Sequence, residues 1–184
     1  RLHSQRTFEA RLGHEEMGGE THVFCPAYQD QWFDELLEYA DDIVFNSLTQ
    51  WNHFKERVLA AGKSAGLRIN PMHSTQDHAI YDPCVEGSRF GILADALHAA
   101  DLTGIDGLHF HTLCEQNADA LVETLEVVER DFGDLLHQMK WLNLGGGHHI
   151  TRIDYDIDTL IATVRRLRET YGVDVISNQV KPSC

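Results

Sequence analysis

Three consecutive glycines, Gly145, Gly146 and Gly147, close the apolar run WLNL and lead into His148 and His149. Backbone N–H groups in such a turn can approach an anion closely, and a helix beginning near Asp154 would add partial positive charge. In β/α barrels, phosphate sites favour the loops after the last two strands. The stretch reads as a phosphate cradle or as a tight turn that needs positive φ. It is not G-x-G-x-x-G, and no such motif follows the first apolar run, which disfavours a dinucleotide fold. Upstream, GLHFHTLCEQN (107–117) places His109 and His111 on one side of a strand, with Phe110 opposite. His111 lies nearer the carboxyl end, where an imidazole can stack on a planar ring, donate a proton or bind metal. Cys114 and Glu115 follow it. His109 reads equally well as a core histidine.

A third polar set, Tyr81, Asp82, Cys84, Glu86, Ser88 and Arg89, falls in a non-helical insert (71–88). Arg89 could grip a carboxylate with two hydrogen bonds. A surface loop with Ser88 capping a helix accounts for the set more simply. His148 and His149 read as a solvated pair. Glu15/Glu16 and Asp41/Asp42 read as solvated charges at helix ends.

The elements that would position these residues alternate. Short runs rich in β-branched and aromatic residues occur at 21–25, 43–47, 66–70, 107–111, 141–145 and 173–177. Their near-continuous apolarity suits strands buried on both faces. Between them lie helical stripes: Phe33, Leu36, Leu37 and Ala40; Trp51, Phe54 and Val58, after a capping box of Ser47 and Gln50; and Phe90, Leu93 and Leu97. Leu121, Leu125, Val128 and Phe132 form another, stopped by Gly133. Leu160, Ile161, Val164, Leu167 and Tyr171 form the last, stopped by Gly172. A leading helix surrounds Phe8 and Leu12. Alternation of this kind predicts an α/β fold with a parallel sheet, either doubly wound or part of a β/α barrel that is about two strands short of eight.

The 184 residues carry 29 acidic and 15 basic side chains, a formal net charge of −14. Such a balance argues against nucleic acid or an anionic membrane as a partner. No apolar run approaches the ~18 residues of a membrane span. Cys25, Cys84, Cys114 and Cys184 are dispersed, so neither a zinc ribbon nor a disulfide framework is indicated, and a reduced cytoplasmic setting is expected.

Six segments resemble the carboxynorspermidine (carboxyspermidine) decarboxylase family: EARLGHEEMGGETHVFCPAY (9–28), IVFNSLTQW (43–51), LRINPMHS (67–74), YDPCVEGSRFG (81–91), GLHFHTLCEQNA (107–118) and WLNLGGGHHIT (141–151). The likeness runs from about Phe8 to Ile176 and leaves 1–7 and 177–184 dissimilar. It implies one incomplete domain over 1–184: a partial alanine-racemase-like (TIM-type) barrel of about six βα units, the third to the eighth strands. The family's first strands and C-terminal β-domain have no counterpart. The resemblance further implies pyridoxal phosphate as cofactor, a small cationic polyamine carboxylate as substrate, and a homodimer. It matches His111 to the histidine that stacks on the cofactor ring. Gly145, Gly146 and Gly147 match the phosphate loop, and Cys114 matches a small polar residue beside the cofactor. Arg89 and Glu115 lie in family motifs as candidate substrate contacts. The implied reaction releases carbon dioxide from the substrate's α-carbon and leaves norspermidine or spermidine.

Two departures bear on activity. No residue matches the lysine that carries the cofactor. Asn178, Gln179 and Val180 follow the last predicted strand where the family has Glu-Pro-Gly, whose glutamate pairs with the pyridine nitrogen. A non-catalytic relative that binds a full-length decarboxylase is the alternative reading. A metal-dependent barrel hydrolase built on His109 and His111 is a more distant one, because the neighbouring strand ends carry Asn46, Asn70 and Asn143 rather than carboxylates; no metal is assigned. The chain by itself is expected to be inactive: purified and supplied with carboxynorspermidine, it should release no carbon dioxide, and a substrate-dependent burst would refute this.

Overall fold

Short apolar runs joined by amphipathic helices assemble into one sheet of six parallel strands. The computed structural model describes residues 2–17, 19–76 and 82–177. The strands are β1 (His22–Cys25), β2 (Asp42–Phe45), β3 (Ser64–Arg68), β4 (Gly107–His109), β5 (Trp141–Asn143) and β6 (Asp174–Ile176). They pair in chain order, each parallel to the next. Parallel neighbours need crossovers, and helices supply them: α2 (Asp30–Tyr39), α3 (Leu48–Ala60), α4 (Ala94–His98), α5 (Ala118–Leu136) and α6 (Ile157–Tyr171), with α1 (Leu2–Leu12) leading into β1. Sequential βα units of this kind form a partial barrel. No helix of the described residues is long and apolar enough to cross a membrane.

Register divides the strand residues between two faces. Ile43, Phe45, Ala65, Leu67, Leu108 and Leu142 join the buried cluster that includes Phe33 and Leu36 of α2, Trp51 and Phe54 of α3, and Leu121, Leu125 and Phe132 of α5. Each buried Leu, Ile or Phe of this cluster contributes about 1.5–3 kcal/mol through burial. The other face carries Phe24, Val44, Gly66, Gly107 and Trp141 at one level, and Arg68, His109 and Asn143 at the next. Local signals agree with this outcome. Ser47 Oγ accepts from the Gln50 N–H at 3.2 Å, and Gln50 Oε1 accepts from the Asn46 N–H at 2.8 Å, which fastens the start of α3. Gly172, at φ +72°, caps α6 as the sequence predicts.

Three helix boundaries differ from the sequence-based expectation. Phe90 and Leu93 do not join Leu97 on a buried stripe; both are exposed, and α4 begins only at Ala94. The reason is that Ile92 is extended beside Ile69, with its N–H donating to Arg68 O at 2.9 Å and its carbonyl accepting from Asn70 N at 2.9 Å. Gly133 does not stop α5, which continues to Leu136. Its bare α-carbon faces Tyr171 of α6 instead. α6 begins three residues after Asp154, capped by Asp156, whose Oδ1 accepts from Thr159 N at 2.9 Å.

Gly66 and Gly107 sit side by side because the Trp141 indole covers both, and its Nε1 donates to Ser64 Oγ at 3.0 Å. A Cβ on either glycine would enter the indole. Gly107→Ala should therefore cost about 1–3 kcal/mol, read as a thermal midpoint lower by several degrees. Adding Trp141→Phe should recover part of that loss; strictly additive losses would refute the steric account.

Candidate cofactor site at the carboxyl ends of the strands

The upper level of the inner face ends in Arg68, His109 and Asn143, aligned across β3, β4 and β5. Arg68 is buried, and its guanidinium lies over the rings of Phe24 at 4.9 Å and Phe90 at 4.7 Å. Burial lowers its pKa to about 10, still well above neutrality. His109 is buried with its ring 5.4 Å from that of Phe24. Burial first, then the Arg68 charge, push its pKa down to about 3. Asn143 acts in the opposite direction without a properly formed bond to the ring: both His109 nitrogens lack a partner, while Asn143 Oδ1 accepts from the Gly145 N–H at 2.8 Å.

His111 extends from the same side of the chain as His109, the two ring centroids being 6.2 Å apart. It lines a pocket of about 310 Å³ together with Arg68, Pro83, Thr112, Leu113 and Cys114. The thiol of Cys114 is free and exposed. His111 is exposed at the pocket's rim; partial desolvation of its ring, followed by Arg68 and His148, lowers the imidazole's pKa from its ordinary value.

Gly145 and Gly147 pack against the backbone of this segment, so the loop expected to hold phosphate lies next to the histidine expected to stack, although the glycines are buried and do not line the pocket. The glycines also have a packing reason. Gly145 (φ +72°) sits against Phe110 O, with the His111 α-carbon 2.8 Å from where its Cβ would stand. Gly147 (φ +87°) sits against Leu113 O, with Cys114 N at 2.8 Å. The helix-dipole part of the sequence expectation does not hold. The amino end of α6 lies ten residues beyond Gly147, and Asp156 caps it. His148, expected to be solvated, is fully buried. Neither of its ring nitrogens has a well-formed hydrogen bond, although the Leu144 backbone acts on the ring as an acceptor would, against desolvation; His149 is half-buried.

The other expected residues fall outside the pocket lining. Arg89 is exposed, and its carbonyl accepts from Asn46 Nδ2 at 2.8 Å. Glu115 is exposed at φ +53°, an uncommon conformation for a side-chain-bearing residue. Ser88 caps a turn rather than a helix: its hydroxyl donates to Pro83 O and accepts from Phe90 N at 3.2 Å. Tyr81 and Asn178 lie outside the described residues. Sequence reasoning missed Arg68, Asn143 and Gln116. Gln116 ties three loops together. Its Oε1 accepts from Thr75 Oγ1 at 3.0 Å and from Gln76 Nε2 at 2.7 Å, and its N–H donates to Gly147 O at 3.0 Å. The available signal for Arg68 was a lone charge inside an apolar run. Among the described residues, the one grouping of three side chains able to hold a metal is Glu20, His22 and Asp42. It lies at the amino ends of β1 and β2, away from His111.

No family model matches the chain. The carboxynorspermidine/carboxyspermidine decarboxylase of Campylobacter jejuni is 42% identical over 168 residues, which cover 91% of this chain and 44% of that protein. The crystal structure of carboxynorspermidine decarboxylase complexed with norspermidine, from the same species, superposes with a TM-score of 0.83 at 40% identity, over 94% of this chain and 44% of that one. The chain is similar to carboxynorspermidine/carboxyspermidine decarboxylases over part of their length. It spans less than half the length of these relatives. The carboxyaminopropylagmatine decarboxylase of Synechocystis is also 42% identical, over 164 residues, 89% of this chain and 42% of that protein. Diaminopimelate decarboxylase from Helicobacter pylori, at 14% identity and a TM-score of 0.67 over 86% of this chain and 44% of that one, shares the fold. The partial barrel seen here therefore matches part of the barrel in these solved structures, and its pocket opens at the carboxyl ends of the strands, where such folds build sites.

The neutral His109 makes stability depend on pH. Between about 3 and the ~6.5 of an unfolded histidine, the unfolded chain binds a proton that buried His109 does not, so stability falls as pH falls through that window. Denaturant titrations across this range should show the fall, and His109→Gln should flatten it. An unchanged slope in the variant would refute the assignment.

Proposed function

We propose that this chain forms the cofactor-holding part of a pyridoxal-phosphate-dependent decarboxylase acting on a carboxylated linear polyamine, carboxynorspermidine or carboxyspermidine. The observation that carries the reading is that His111 and Cys114 line one pocket while Gly145 and Gly147 pack against the backbone of that same segment, in a chain 42% identical to decarboxylases of such substrates. The similarity to the Synechocystis protein extends the class to amines bearing a carboxyaminopropyl group. The solved neighbours that share the fold, including the lysine/ornithine decarboxylase from Vibrio vulnificus, belong to a group that uses pyridoxal phosphate.

The residues fit such a cofactor. A flat imidazole held below the histidine range lines the pocket, ready to stack on a ring without adding charge. The buried Arg68 cation, with no carboxylate salt bridge among the described residues, favours an anionic occupant. The buried, unpartnered nitrogens of His148 lie at the phosphate-loop side. When bound, the cofactor supplies an electron sink for the pair left behind by departing carbon dioxide. His111 would orient its ring, Gly145–Gly147 would border its phosphate, and Cys114 would present a thiol at its edge. Among the described residues, Lys55, Lys63 and Lys140 do not line the pocket, so the described lining supplies binding and orientation.

Titration of the protein, in its full encoded length, with pyridoxal phosphate should give a saturable absorbance change. His111→Ala should weaken it about tenfold, the loss of one aromatic stacking contact. Affinity unchanged in the variant, or no binding by the wild type, would refute the proposal.

A further inference from the structure

Arg68 is a cation in a costly place. It is 6% exposed, and buried arginines are normally neutralised by a carboxylate. Among the described residues it forms no salt bridge. Its guanidinium stacks on Phe24 and Phe90, and its Nη2 donates to the carbonyl oxygen of His111 at 3.2 Å. Arginine donors lie in the guanidinium plane, so two rings stacked on that plane restrict where the donors can point. Arg68 and His111 come from different strands and are 43 positions apart, so this bond ties the end of β3 to the loop after β4.

The titratable groups beside His111 come from three elements. They are Arg68 from β3, His109 from β4, and His148 from the loop after β5; Cys114, on the His111 loop itself, lines the same pocket. Burial keeps His109 and His148 neutral at physiological pH. Among the described residues, Arg68 is therefore the formal charge acting on the His111 ring, with its guanidinium over two aromatic neighbours.

We propose that Arg68 is a positioning residue for His111, anchoring its loop through the carbonyl and setting a fixed positive charge beside its imidazole at the rim of the pocket. The functional consequence rests on the reading of His111 as the ring that meets the cofactor. An uncharged imidazole can stack on a protonated pyridine ring, whereas an imidazolium would repel it. The anchoring and the charge effect belong to the protein alone and can be measured without cofactor.

The test is a proton NMR pH titration of the His111 ring in the full encoded protein, its resonance assigned by disappearance in His111→Asn. The wild-type midpoint should lie below the ~6.5 of a free histidine. Arg68→Met should raise it part of the way toward that value, since desolvation remains, and Arg68→Lys, which keeps the charge, should hold it at the wild-type value. An unchanged midpoint in Arg68→Met overturns the proposal. If the methionine variant does not fold, the lysine variant decides, since an ordinary midpoint there also overturns it. Pyridoxal phosphate is the second probe, and Arg68→Met should weaken its binding severalfold. A wild-type protein that binds no pyridoxal phosphate refutes the cofactor reading, yet leaves the titration to judge Arg68 independently.

Discussion

Backbone lies directly on backbone where the loop after β5 crosses the loop after β4, and the mouth of the sheet depends on that approach. Gly145 rests on Phe110 and His111, and Gly147 rests on Leu113 and Cys114. Both glycines hold φ values that other residues rarely adopt. A side chain at either position would lift one loop from the other and separate His111 and Cys114 from the glycines. Asn143 secures the same turn from below, and Gln116 binds it to the segment after β3. The pocket is therefore shaped by a contact between loops, with the parallel strands setting the height at which the loops meet.

Charge at that mouth is arranged around one fixed cation. Arg68 remains protonated because its pKa stays near 10 despite burial. His109, His111 and His148 are all pushed towards their neutral forms, chiefly by desolvation. The ring nitrogens of His109 and His148 are buried without partners. Each unsatisfied buried polar group costs about 1–3 kcal/mol, a cost that a packed apolar interior would not carry. Their concentration beside a pocket, among residues held away from their ordinary pKa values, is the pattern of a site that favours function over stability.

The opposite end of the sheet is closed differently. Trp141 spans the glycines of β3 and β4 and donates to Ser64, while His22 pairs with Asp42 at 3.1 Å across β1 and β2. These contacts fill the inner face beneath the polar level. They also explain why Gly66 and Gly107, which look like weak strand residues, stand in the sheet: each leaves room for the indole.

The architecture was legible because parallel strands buried on both faces must be apolar along their length, and all six apolar runs became strands in order. Two site segments were legible for a similar reason. Histidines two apart on a strand must share a side, and a triple glycine at a strand end must serve some close approach. What lay beyond the sequence was which neighbour each group would meet. Gly133 resembles a helix stop until Tyr171 is seen beside it, and Phe90 resembles a core residue until Ile92 pairs with Ile69 and leaves it outside as a lid on Arg68. His148 resembles a solvated loop residue until the loop folds inward. Periodicity depends only on a residue's own segment, so the sequence by itself determined the strands, most of the helices and the segments that form the rim. Burial, pairing and charge at Arg68, His109 and His148 depend on residues from other βα units, such as Phe24 beside His109 and Phe90 over Arg68, and only the tertiary structure could decide them.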